Sequence, residues 1–125
     1  MKSYSKIIPI DLYKRGVMIF FGSKEDLYKK AGAIITPDIR QSLEECDFNH
    51  TQAVTIRTET DAIIYAPQRP YDEIIAHEIC HATFQILRIV DIDPTECEEA
   101  YTYLFEYLYY KIFLWLNALD DAHKS

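Results

Sequence analysis

The sequence predicts a single α+β domain spanning residues 1–125, with a small, largely antiparallel sheet followed by two long C-terminal helices. Three observations predict it. The short, β-branched, alternating runs all lie before residue 67. From Pro70 onward, two segments repeat apolar residues with helical spacing. The chain is 49% hydrophobic with only 3 Gly and 5 Pro, enough to bury a core and too little loop composition for disorder.

The elements follow in order. Residues 6–10 (Lys-Ile-Ile-Pro-Ile) and 17–21 (Val-Met-Ile-Phe-Phe) read as strands, with a turn over the charged 11–15 segment and Gly16. Ser23 is an N-cap, with Asp26 at the third helical position and Gly32 as the stop, so 24–31 is a short helix. Thr36-Pro37-Asp38 opens a second short helix that runs to Glu45. Residues 51–57 alternate, 58–61 are turn-like and 62–66 form a second apolar run, which together read as a hairpin.

Pro70 is placed at the first position of the next helix, with Asp72 and Glu73 favoured by the dipole of its first turn. That helix extends to Arg88. Ile75, Ile79, Ala82 and Ile86 mark its apolar side, and His77, Glu78, His81, Gln85 and Arg88 its polar side. Val90-Asp91-Ile92 is a connector. Asp93-Pro94-Thr95-Glu96 then carries cap, proline and capping-box Glu in order, so the last helix is expected from 95 to 118. Tyr101 to Leu119 is apolar nearly all round, but Glu106 and Lys111 interrupt it, which favours a core helix over a membrane span.

The net charge of −7 excludes a non-specific surface for nucleic acid or anionic membrane, because phosphate binding needs clustered Lys and Arg. No direct nucleic-acid contact and no membrane are expected. The start of the chain lacks the run of a signal peptide, and Cys46, Cys80 and Cys97 are an odd number of thiols. A reducing cytoplasm is the expected location.

The most informative segment is His77-Glu78-Ile79-Cys80-His81. It has the form H-E-x-x-H inside a predicted helix. Four residues is close to one helical turn, so His77 and His81 share a face and can hold one Zn²⁺ together, with Glu78 beside them as general base. Cys80 reads as a small core residue, and His50 and His123 as surface histidines. A catalytic zinc needs a third protein ligand, and a short link makes the following helix an antiparallel neighbour. Of Glu96, Cys97, Glu98 and Glu99 at its start, Glu99 has no capping role in either register, so it is the preferred ligand, with Glu98 and Cys97 as alternatives. In the reaction this implies, zinc brings the pKa of water toward neutrality, and Glu78 takes the proton and returns it to the leaving amine. Tyr103 is a candidate transition-state donor, as are Tyr71 and His123. Glu106 is a candidate carboxylate behind a histidine.

The stretch from Asp72 to Tyr107 resembles gluzincin-type zincin metallopeptidases, which pair H-E-x-x-H with a downstream Glu. More narrowly, His77-Glu78-Ile79-Cys80-His81-Ala82-Thr83-Phe84 followed by Glu99-Ala100-Tyr101-Thr102-Tyr103-Leu104 resembles small metallopeptidases encoded by bacteriophages and prophages. Thr102 departs from the Ala usual there. The resemblance implies His77, His81 and Glu99 as ligands of zinc and Glu78 as the catalytic Glu. It also implies a minimal zincin-like domain, with a protein or peptide substrate laid along an edge strand supplied by the hairpin 51–66. The expectation is therefore a zinc-dependent metallopeptidase. Its rival is a non-catalytic zinc-binding phage structural or partner-binding protein, for which a closed four-ligand site would speak.

Overall fold

The structure is a computed structural model that describes residues 2–123. It is an α+β fold built on a four-stranded sheet. The strands are β1 (Tyr4–Ile10), β2 (Arg15–Phe21), β3 (Val54–Arg57) and β4 (Ala62–Ala66). Their order across the sheet is β1-β2-β4-β3. The helices are α1 (Lys24–Ala31), α2 (Pro37–Glu45), α3 (Asp72–Ile89) and α4 (Glu98–Ala122).

The sheet is largely antiparallel, as expected, with one parallel pairing that makes it mixed. β1–β2 and β3–β4 are antiparallel hairpins, but β2 and β4 run parallel, with Val17 opposite Ala62 and Phe21 opposite Ala66. Both hairpins follow from their own local patterns. The parallel join follows from the chain between them: α1 and α2 carry it from β2 past β4 to the far edge, where β3 runs opposite to β2. The β3–β4 hairpin then reverses the chain once more, so that β4 lies beside β2 in the same direction.

Each face of the sheet buries one set of alternating side chains. Ala62, Ile64 and Ala66 of β4 face α3 and α4, while Ile63 and Tyr65 face α1 and α2. β4 is thus buried at every position, as expected of a strand with helices on both sides. α4 contributes a stripe of Leu104, Leu108, Ile112 and Leu116 at four-residue spacing, all buried.

Caps set the short helices. Ser23 Oγ accepts from Asp26 N at 3.1 Å, and Thr36 Oγ1 accepts from Ile39 N at 3.3 Å. α3 begins after Pro70, with Tyr71 at the N-cap position. It ends in a Schellman arrangement: Asp91 takes the left-handed conformation at φ 61°, and Ile92 N donates to Leu87 O at 2.8 Å. α4 begins at Glu98, later than its sequence signals suggest. The Asp93 side chain accepts from Thr95 N at 2.9 Å, so it closes a turn of its own instead of capping the helix.

α3 and α4 lie antiparallel. The Arg69 guanidinium, just before α3, spans both oxygens of Asp120 near the end of α4, at 3.1 and 2.9 Å. Phe84, late in α3, packs on Tyr101, early in α4, at 4.9 Å between ring centroids. At the outer edge, Tyr107 of α4 donates to Pro9 O of β1. Among the described residues no helix is long and apolar enough to cross a membrane.

Candidate metal and acid–base site

The site lies on the side of α3 opposite its core stripe. Ile75, Ile79, Ala82 and Ile86 anchor the helix to the sheet, fixing its rotation. Both His77 and His81 lie about 160° from Ile79, and therefore face solvent. Their Nε2 atoms stand 3.1 Å apart, with the rings at 77° to each other.

That spacing can be compared with metal geometry. Two imidazole nitrogens at about 2.0–2.1 Å from one tetrahedral zinc are about 3.3–3.4 Å apart. The pair therefore fits a single divalent cation through Nε2 on both rings. A hydrogen bond from one ring to the other has the same length, with one Nε2 protonated. Both states depend on the same convergence, which the one-turn spacing of the motif dictates.

Glu78 is 6% exposed, unlike the polar-stripe position that helical periodicity gives it. About 100° of rotation separates it from Ile79, on the side where β3 packs. The Thr55 hydroxyl, on β3, donates to Glu78 Oε1 at 2.8 Å and lies 3.1 Å from Glu78 O. The other oxygen, Oε2, is 4.0 Å from His77 Nε2. A buried carboxylate is thus held by a hydroxyl on one side and faces the His77 imidazole on the other. Thr55 was not singled out from sequence. Its signal was there: in the alternating run 51–57 it shares a strand face with Arg57, away from Val54 and Ile56.

β3 is the outermost strand, so one of its edges is free. Thr58 N donates to Asp61 O at 2.9 Å, which closes the hairpin and sets the alternation of the ladder. Counting back in twos, Ile56 and Val54 turn their main-chain groups to β4, and Thr55 and Arg57 turn theirs outward. The free main-chain groups therefore include those of the residue that holds Glu78.

The start of α4 is less closely joined to the histidines. Among the described residues no three His, Cys, Asp or Glu side chains are gathered so that they could hold a metal, and so Glu99 does not stand with His77 and His81 in this structure. Glu98 and Glu99 are exposed in the first turn of α4, where the helix dipole favours both. Their phases differ. Glu98 lies about 120° from Leu104 on the side of Tyr101, which touches α3, and Glu99 about 140° from Leu104 on the other side. Glu98 accordingly lines a recess with Phe84, Pro94, Thr95, Tyr101 and Thr102. Cys97 is the exposed N-cap residue of α4 and makes no side-chain cap hydrogen bond.

The remaining candidates are spread out. Tyr103 is 68% exposed and lines a hollow with Leu12, Tyr13 and Tyr107, on the flank of α4 that faces the β1–β2 turn. Glu106 is exposed on α4. Tyr71 is 68% exposed at the N-cap of α3. His123 sits at the β1 edge, with its Nε2 2.8 Å from Tyr4 Oη and its Nδ1 2.7 Å from Leu119 O. The structure brings none of these four into a hydrogen bond with the imidazole pair. Cys80 is half-buried on the α4 side. Burial, and then its hydrogen bond with Cys80, pushes the Tyr101 phenol up to about 12.

No family model, no curated protein and no solved structure matches the chain.

Proposed function

We propose that this protein is a zinc-dependent metallopeptidase of phage or prophage origin that acts on extended protein or peptide segments in the cytoplasm. The observation that carries the reading is the convergence of three groups: His77 Nε2 and His81 Nε2 at 3.1 Å, and Glu78 Oε2 at 4.0 Å from His77 Nε2. His77 and His81 would hold zinc through Nε2. A carboxylate from the first turn of α4 would complete the set: Glu99 by resemblance, with Glu98, on the α3 side, as its competitor.

A zinc ion in this site would supply Lewis-acid polarisation of the scissile carbonyl and bring the pKa of water near neutrality. Glu78 accepts the proton of the attacking water and later delivers it to the leaving amine. Burial keeps that carboxylate out of bulk water, which strengthens its interactions with groups in the site. The outward main-chain groups of Thr55 and Arg57 can receive an extended substrate strand, so that the strand passes close to Glu78. The three free thiols, Cys46, Cys80 and Cys97, support a reducing compartment. The acidic charge, −7, argues for a protein substrate over nucleic acid.

The experiment is cleavage of a degenerate peptide mixture read by mass spectrometry, with zinc-loaded protein and with chelator added. New termini that appear only with zinc support the reading. Zinc bound at His77 and His81 with no cleavage of any peptide would instead fit the non-catalytic, partner-binding protein.

A further inference from the structure

We propose that Thr55 is a positioning residue that assigns different tasks to the two oxygens of Glu78. The inference rests on the metallopeptidase reading above. A hydroxyl has one proton to donate. Two acceptors compete for that of Thr55: Glu78 Oε1 at 2.8 Å and Glu78 O at 3.1 Å. The carboxylate is closer and charged, so it takes the proton as a charge-assisted hydrogen bond. Oε1 is thereby anchored to β3. Oε2 is left facing His77 Nε2 at 4.0 Å, where it serves as the proton acceptor.

The anchor is stiff at both ends. Thr55 is β-branched and sits in a strand, which restricts its χ1. Glu78 is 6% exposed, so water does not compete freely for Oε1. A Glu side chain otherwise has three rotatable bonds, and fixing them before substrate arrives removes an entropic cost from the reaction. The anchor also lies on the free-edged strand. Thr55 presents its main chain to the open edge and its hydroxyl to the general base, so the strand that can receive substrate also orients the base.

The test compares Thr55→Val and Thr55→Ser with the wild type. Val keeps the shape and branching and removes the donor; Ser keeps the donor. The expected result is a loss of about 10- to 100-fold in kcat for Thr55→Val with KM and zinc affinity unchanged, and recovery of kcat in Thr55→Ser. A second measurement needs neither metal nor substrate: vicinal couplings of Glu78 should report one side-chain rotamer in the wild type and in Thr55→Ser, and averaging in Thr55→Val. Wild-type cleavage with full kcat in Thr55→Val overturns the role of Thr55 alone, and so do identical Glu78 couplings in wild type and Thr55→Val. A wild type that cleaves nothing overturns the metallopeptidase reading, and the catalytic task of Thr55 goes with it.

Discussion

Glu78 Oε2 lies 4.0 Å from His77 Nε2, although one residue is nearly buried and the other exposed. Neighbours on a helix point about 100° apart. On its other oxygen, Oε1, the carboxylate accepts a hydrogen bond from the Thr55 hydroxyl of β3 at 2.8 Å. The buried carboxylate and the exposed imidazole thus meet beside β3.

Glu78→Gln should keep zinc binding and lose hydrolysis, by about 100-fold or more, the usual scale for general-base removal. Calorimetry and a cleavage assay on the same preparation check both halves. Loss of zinc in this variant would make Glu78 a ligand instead of a base.

Glu99→Ala should weaken zinc strongly and Glu98→Ala only slightly, if the ligand assigned by resemblance is the one used. Competitive titration against a chromophoric chelator measures both. The reverse order would show that the residue on the α3 side supplies the third donor. Equal retention in both would remove the start of α4 from the site.

Stability should fall at high pH. Burial pushes the phenols of Tyr28, Tyr65 and Tyr101 up to about 12, helped at Tyr28 by its hydrogen bond to Glu44. In the unfolded chain the same groups ionise near 10. A folded pKa raised above the unfolded value means that the contribution is whole below about pH 10 and is lost as pH rises toward about 12. Urea midpoints across that window, read with phenolate absorbance, should fall together. Constant midpoints through the window would contradict the raised phenol pKa values of these side chains.

Two leucines of α4 should behave oppositely. Leu108 is fully buried and Leu114 is 54% exposed. Leu108→Ala should cost about 2–5 kcal/mol through lost contacts and a cavity. Leu114→Ala should stay within about 0.5 kcal/mol. Urea denaturation with a common m-value checks the pair.

Much of this fold was legible in the sequence because its signals are local. Ser23 and Thr36 cap where a short polar side chain can reach the third amide, and the continuous apolar run 62–66 marks a strand. The parallel pairing of β2 with β4 was not legible, since an apolar run reads the same in either direction. Asp93 misled by offering a cap signal that a turn of its own absorbed. At the site, the one-turn spacing of His77 and His81 is written in the motif. The burial of Glu78 is not, because it depends on which flank of α3 meets β3. The third donor is the least legible, since the first turn of a helix favours acidic residues whether or not they bind metal.

The most direct measurement is calorimetric titration of zinc into the wild-type protein and into a variant carrying both His77→Ala and His81→Ala. The expected result is one equivalent bound by the wild type and none by the variant. A wild type that takes up no zinc, or a variant that binds it as well as the wild type, would contradict the proposal that these two imidazoles form a metal centre.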